Sequence, residues 1–329
     1  MSALLEARGL VKEFRLGRSR TEVAHAVAGV DLSIEAGETL GIVGESGCGK
    51  STTARMLARL IDPTAGTVHY RGEEVTGLSR AQLVPLRREI QMIFQDPYSS
   101  LNPRQTVGSI IGEPFDIHEL EPDRRKRRAA VQALMEQVGL NPEHYNRLPH
   151  EFSGGQRQRI GVARAIALRP RVLIADEPVS ALDVSIQAQI LNLLRELQRE
   201  LDLTIVFIAH DLSVVRHMCD RVAVMYLGRV VEEATSDALF SAPRHPYTQA
   251  LLSAIPLPQP GARARRVRAL RGDPPSPVSP PAGCVFHPRC ARAVAGTCDA
   301  QAPALARRPG GGRVACHLVE APDEQRRGS

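Results

Sequence analysis

Apolar positions along this chain switch repeatedly between a two-residue and a near-3.6-residue period, the pattern of strands interleaved with helices. From Leu4 to Ile34 the segments LLEARGLVKEF and HAVAGVDLSI alternate weakly about a polar, arginine-containing turn, and predict two antiparallel strands. A short apolar run, ETLGIV, then meets a glycine-rich turn and a segment with helical spacing that predicts a helix through Leu60. GTVHYRGEEV predicts a strand bounded by turn residues, and EIQMIFQ a buried strand. Between Asp96 and Arg169 the character is helical, with RRKRRAAVQALMEQVGL and GQRQRIGVARAIAL as its clearest segments. Strand character returns in RVLIADE and TIVFIAH, separated by a helix whose Ile186, Ile190, Leu193, Leu194, Leu197 and Leu201 form one apolar stripe. RVAVMYLGRVVE predicts a hairpin. The alternation argues for a mostly parallel sheet with helices on both faces, into which the 96–169 block is inserted.

Past Ala242 the composition shifts to Pro, Gly and Arg, in PLPQPGARARR, DPPSPVSPPAG and RRPGGG. A single packed core does not run through such clusters. The expected organisation is therefore a domain over 1–242, a small module over 243–320 and a tail over 321–329. The 329 residues, 43% of them hydrophobic, suffice for a sizeable core. The longest apolar runs fall far short of the roughly 20 residues of a membrane-spanning helix, and no signal-peptide pattern follows Met1, so a cytoplasmic location is expected. The net charge of +6 comes largely from local arginine runs such as DRRKRRA and GARARRVRALR, read as a solvated helix face and a basic segment. Of six cysteines, Cys48 and Cys219 stand alone, whereas Cys284, Cys290, Cys298 and Cys316 cluster, as metal or cluster ligands do more than disulfides in a reducing compartment.

Gly44, Glu45, Ser46, Gly47, Cys48, Gly49, Lys50, Ser51 and Thr52 fit G-x-x-x-x-G-K-[ST] between a strand and a helix. Such a turn points backbone N–H groups into one concavity, and the helix N-terminus adds partial positive charge, so it forms a nest for a polyphosphate. Lys50 is placed to reach the β- and γ-phosphates, and the Ser51 hydroxyl to ligate Mg²⁺. VLIADEP ends a buried strand on Asp176, expected to hold Mg²⁺ through water, and Glu177, expected to orient and deprotonate the attacking water. His210 and Gln95 are uncharged polar groups at the ends of VFIAH and MIFQ. In FSGGQRQRIGVARAI, Ser153, Gly154 and Gly155 open a second anion-binding helix N-terminus. Two such ends in one chain imply a dimer, each subunit closing on the nucleotide held by the other.

On these motifs residues 1 to about 240 resemble the ATP-binding subunits of ABC transporters. The resemblance implies a P-loop NTPase, α/β and RecA-like, with an N-terminal antiparallel β subdomain, an inserted helical subdomain over about 96–169 and a small C-terminal cysteine-containing extension. It makes Gly44–Thr52 the Walker A turn and Gln95 the Q-loop, with Gln95 also a ligand of Mg²⁺ beside Ser51 and Asp176. Ser153, Gly154, Gly155 and Gln156 become the signature. Asp176 and Glu177 become Walker B and the catalytic glutamate, Asp183 of SALD the D-loop, and His210 the switch histidine. Phe152 replaces the usual leucine, and the adenine-stacking aromatic falls on Phe14. Glu177, His210 and Gln95 are thereby the expected catalytic group, with ATP and Mg²⁺ as ligands.

QDPYSSLNPR, PHEFSGGQRQRI, DEPVSALDVSIQAQILNLL, AVMYLGR, RHPYTQALLSAIP, GDPPSP and PPAGCVFHPRC look like the F-type ATPases of dipeptide and oligopeptide importers. That branch implies a D-type ATPase partner in a heterodimer, two membrane permeases, an extracytoplasmic solute-binding protein, and a peripheral position on the cytoplasmic face of the inner membrane. A related importer for nickel or another small solute stands as the alternative. Successive members of the cysteine cluster have five, seven and seventeen residues between them, which fits no paired C-x₂-C zinc ribbon. The branch implies a [4Fe–4S] cluster there, with zinc and inert thiols as the other readings. An ABC-type ATPase acting on nucleic acid would carry a long coiled coil, zinc modules or a second ATPase copy, and none occurs. No nucleic-acid partner is expected. A non-enzymatic adaptor would have lost the base or the switch histidine, and both are present.

Overall fold

Weak alternation in the first segments becomes β1 (Leu5–Leu16) and β2 (Glu22–Ile34), paired antiparallel as predicted. Their register shifts near Gly9, whose φ of 57° lets its N–H reach the Asp31 carboxylate at 2.6 Å. The fully buried β3 (Thr39–Val43) leads through the glycine turn into α1 (Lys50–Leu57). This helix stops short of Leu60, because Arg59 takes φ 52° and buries its guanidinium against the Val75 carbonyl. GTVHYRGEEV is two strands, β4 (Ala65–Tyr70) and β5 (Glu73–Glu74), joined by a turn at Arg71 and Gly72.

α2 (Leu83–Glu89) is an addition to the expected elements. Its Pro85 falls in the first turn, where no intrahelical N–H is needed. β6 (Ile90–Ile93) follows, then α3 (Val107–Ile117) and α4 (Arg124–Gln137), capped by the Thr106 and Asp123 side chains. Two short 3₁₀ turns precede α5 (Gly154–Ile166). After it come β7 (Val172–Asp176), α6 (Val184–Leu201), β8 (Thr204–Ala209) and α7 (Leu212–Met218). Of the α6 stripe, Ile190, Leu193, Leu194 and Leu197 are buried, while Ile186 and Leu201 are half-buried. β9 (Arg221–Tyr226) and β10 (Arg229–Thr235) form the predicted hairpin, followed by α8 (Ser236–Ser241), α9 (Pro246–Ser253), β11 (Ala306–Arg307) and β12 (Arg313–Val314).

The computed structural model describes residues 3–17, 21–96, 100–180, 182–254, 272–308 and 311–319. Residues 18–20, residues 97–99 of QDPYSSLNPR, all of PLPQPGARARR and GARARRVRALR, Ala181 of SALD, and the 321–329 tail lie outside the described residues. The chain divides into two units, the first built from residues 1–34, 39–76 and 209–329, the second from 35–38 and 77–208. In the first, β2-β1-β4-β5 is one antiparallel sheet, and β3 pairs parallel to β9, which continues through β10 and β12 to β11. In the second, β6, β7 and β8 are parallel neighbours, and the inserted helices share this unit.

Chain beyond Ala242 is woven into the first unit. β12 pairs with β10 at Glu232↔Val314 and Glu233↔Arg313, the Ala315 N–H donates to the Val231 carbonyl at 2.8 Å, and the His25 N–H donates to the Pro277 carbonyl at 2.9 Å. Glu233 accepts from both Arg221 and Arg313, joining β9, β10 and β12 by charge.

At the β10–α9 junction the buried Glu232 carboxylate accepts the N–H groups of Arg244 (2.8 Å) and His245 (2.9 Å). His245 caps α9, its Nδ1 accepting the Tyr247 N–H at 3.1 Å. Burial pushes the His245 imidazole down to about 4. A depressed histidine binds its proton more readily in the unfolded chain, so its contribution is present above the ordinary histidine pKa and is lost as pH falls from about 6.5 towards about 4. Glu232, whose burial raises its pKa, acts in the opposite sense. Between pH 7 and pH 5 the His245 contribution falls by on the order of 2 kcal/mol. His245→Asn keeps a capping acceptor and removes the titration. Denaturant unfolding of both proteins at the two pH values is expected to show a smaller acid loss in the variant; equal losses would contradict this origin.

Candidate functional site

The turn after β3 is built on backbone conformations that only glycine adopts without strain. Gly44, Gly47 and Gly49 take φ 154°, 77° and 101°. A Cβ on Gly44 would lie 2.2 Å from the Met225 carbonyl oxygen, and one on Gly49 would lie 2.2 Å from that of Ala26. The turn is therefore pressed between β2 and β9 with no room for a side chain at either position. Lys50 opens α1 and is 4% exposed. Its Nζ donates back to the carbonyls of Gly44 (2.8 Å) and Glu45 (3.0 Å), closing the turn into a loop with a cation at its centre. Cys48 lies beneath, with Sγ 4.0 Å from that Nζ, and burial raises its thiol pKa. Ser51 and Thr52 are half-buried on the first turn of α1. The arrangement presents a lysine and a helix N-terminus to an anionic ligand.

The turn carries a collar that the motif pattern misses. The Glu45 N–H donates to the Tyr247 hydroxyl at 2.9 Å, and both Glu45 carboxylate oxygens are gripped by Arg289, at 2.6 and 3.1 Å. Behind them Tyr226, Tyr247 and Phe286 pack ring on ring, with centroids 4.7, 5.3 and 5.4 Å apart. The sequence signals for this collar are three of the branch segments, AVMYLGR with Tyr226, RHPYTQALLSAIP with Tyr247, and PPAGCVFHPRC with Phe286 and Arg289.

In the second unit the end of β7 carries the carboxylates. Asp176 is 1% exposed, and Glu177 takes φ 46°, a left-handed conformation that costs a non-glycine residue on the order of 1–3 kcal/mol. The Glu177 N–H donates to the Ile208 carbonyl at 3.0 Å, and Gln95 Nε2 donates to Glu177 Oε2 at 2.8 Å. Strand pairing of β6 with β7 thus brings two of the expected residues together. Ser153 and Gln156 form a capping box: Ser153 Oγ accepts the Gln156 N–H (3.3 Å) and Gln156 Oε1 accepts the Ser153 N–H (3.0 Å). Gly155 is required by packing, since a Cβ there would meet Ile186 Cγ2 at 2.5 Å. Asp183 stands exposed at the N-cap of α6, its segment pinned by Gln187 Nε2, which donates to the carbonyls of Val179 and Leu182.

Phe14 is 41% exposed on β1, with Lys12 Nζ 5.3 Å from its ring centroid. His210 is exposed just past β8, in the segment assigned to the first unit. Cys284, Cys290, Cys298 and Cys316 are all free thiols. Burial and then the nearby Cys316, Cys298 and Cys290 raise the Cys284 pKa, so the sulfurs share one neighbourhood. Among the described residues, however, no three His, Cys, Asp or Glu side chains form a group able to hold a metal ion. The [4Fe–4S] expectation finds no support in this placement, and no step is assigned to a cluster. Among the described residues no helix is long and apolar enough to cross a membrane.

Residues 27–180 match the family model described as ABC transporter, and residues 231–298 match that of the oligopeptide/dipeptide transporter C-terminal region. The chain is 54% identical to a putative oligopeptide transport ATP-binding protein, YkfD, of Bacillus subtilis, over 96% of this chain and 95% of the relative. It is 50% identical to the di/tripeptide transport ATP-binding protein DppF of Pseudomonas aeruginosa, over 97% of this chain and 99% of the relative. Among solved structures it resembles the dimeric, post-hydrolysis ATP-binding cassette MJ0796 bound to ADP and phosphate. That likeness has TM-score 0.65 and 30% identity, and covers 70% of this chain and 98% of the cassette.

Gly47 and Gly49 separate strain from clash. A Cβ on Gly47 meets nothing within 4 Å, whereas one on Gly49 meets the Ala26 carbonyl. Gly47→Ala is expected to lower unfolding free energy by about 1–2 kcal/mol from backbone conformation alone. Gly49→Ala is expected to lose a further 1–3 kcal/mol or so from the forced shift of β2. Equal losses in denaturant unfolding would show that the Ala26 carbonyl gives way without cost.

Proposed function

The chain belongs to the ABC transporter ATP-binding proteins, in their peptide-transport branch, and from that premise we propose that it hydrolyses ATP to ADP and phosphate to power uptake of dipeptides or oligopeptides through membrane permeases. The observation that carries the proposal is the glycine turn with Lys50 folded over it, a preformed cradle for a triphosphate. Gly44–Thr52 hold the phosphates, with Lys50 bringing its charge to the β- and γ-groups. Ser51 and Asp176 offer the hard oxygen donors that suit Mg²⁺, which typically takes few protein ligands beside phosphate oxygens and water. Bound Mg²⁺ supplies neutralisation of the charge that develops on the phosphates.

Glu177 takes the proton of the attacking water on its carboxylate. Gln95, donating to Oε2, holds that carboxylate in one orientation and leaves the other oxygen for the water. His210 contacts the γ-phosphate from its strand end, and Phe14 offers its exposed ring to the adenine. The Ser153–Gln156 helix end and Asp183 serve the nucleotide of a second, D-type ATPase subunit, completing a site that a single chain leaves half-built. Two permeases and an extracytoplasmic binding protein complete the importer, with this chain peripheral on the cytoplasmic face. Nucleotide acts on it by shifting the balance between open and closed dimers.

Lys50→Ala is expected to weaken Mg·ATP binding at least about tenfold, read by titration of the full chain. Glu177→Gln is expected to keep ATP binding while steady-state hydrolysis by the assembled transporter falls by on the order of 10²–10⁴. Near-normal turnover by Glu177→Gln would remove Glu177 as the base. Unchanged binding by Lys50→Ala would remove the cradle.

A further inference from the structure

Glu45 sets a problem that the phosphate cradle must solve. It occupies the second position of the turn, so a carboxylate stands beside the place where a polyanion is to land. Its side chain is 25% exposed, and Lys50 Nζ is engaged with the Gly44 and Glu45 carbonyls rather than with that carboxylate. The charge that answers it comes from far along the chain: Arg289, whose side chain is 5% exposed, meets both carboxylate oxygens in a fork. Arg289 is itself held, with Nη1 3.4 Å from the Tyr226 hydroxyl and its guanidinium carbon 5.8 Å from the Tyr226 ring centroid. It sits on a 3₁₀ turn after Phe286, which is wedged edge-on against Tyr226. Tyr247 meanwhile takes the Glu45 N–H.

Building on the ATP reading above, we propose that Arg289 is a positioning residue for nucleotide binding: it clamps and neutralises the Glu45 carboxylate, so that the turn presents net positive charge to the triphosphate. The fork is specific to a guanidinium, because only a planar, bidentate donor reaches both oxygens at once. A plain structural staple would use the same two residues, but the alternatives differ in one respect. A staple is lost whether or not Glu45 keeps its charge. Neutralisation becomes unnecessary once that charge is gone.

The test is titration of Mg·ATP against the full chain at fixed salt. The expected result is about tenfold weaker binding for Arg289→Ala, or about 1.4 kcal/mol. Adding Glu45→Gln to that variant is expected to restore affinity to within about threefold of the native chain. Arg289→Lys, which keeps the charge and loses the fork, is expected to lose about threefold; if Arg289→Ala does not fold, Arg289→Lys with and without Glu45→Gln supplies the same comparison. Arg289→Ala binding within twofold of native, or a double variant as weak as Arg289→Ala, overturns the proposal. A native chain that binds no Mg·ATP overturns the ATP reading itself, and this inference with it, whereas native binding that is lost in Lys50→Ala leaves the reading intact and isolates the role of Arg289.

Discussion

The structure of the first unit depends on backbone conformation at three glycines. With φ at 154°, 77° and 101°, Gly44, Gly47 and Gly49 turn the chain so sharply that the ammonium of Lys50 can bond carbonyls five and six residues behind it. Any side chain at Gly44 or Gly49 would strike a carbonyl of a neighbouring strand. The turn is thus tightly boxed before any ligand arrives, which lowers the ordering cost of binding. The walls that box it come from two sheets, β2 from the antiparallel sheet and β9 from the sheet in which it pairs with β3.

Around that turn the C-terminal segment acts as a third wall. Pairing of β12 with β10 brings the chain beyond residue 272 against the unit, and the Tyr226, Tyr247 and Phe286 cluster fixes it there. Each aromatic contact adds on the order of 0.5–1.5 kcal/mol beyond area burial. The consequence is electrostatic as well as structural: the glycine turn, inside the ABC transporter match, receives a counter-charge at Glu45 from a region with its own family description, the oligopeptide/dipeptide transporter C-terminal region.

The second unit treats its carboxylates differently. Asp176 ends a strand and is buried, while Glu177 is lifted into a left-handed conformation and met by the amide of Gln95 from the next strand. Strain at Glu177 persists because its N–H is tied to Ile208 and its carbonyl accepts from Ser180. α5 is held by the same economy of parts, with one hydroxyl and one amide satisfying two donors at its start.

Much of this was legible in residue order. The strand–glycine turn–helix succession, the DE at the end of an apolar strand, the SGGQ helix start and the α6 stripe are local patterns, and local patterns reflect backbone sterics and periodicity acting within a few residues. Local reading failed where the cause was remote or a local rule was overridden: α2 begins across Pro85, and α1 ends early because Arg59 is drawn inward to the Val75 carbonyl. The spacing of the cysteines in the chain does not state how their sulfurs point, so it leaves their chemistry open. The Glu45–Arg289 fork spans 244 residues, and no periodicity encodes a contact at that separation. The sequence by itself determined the chemistry available, because residue type and short spacing decide which groups can cradle phosphate or take a proton. Only the tertiary structure decided which charge answers Glu45 and which amide holds Glu177, because those partners meet through sheet pairing and aromatic packing between distant segments.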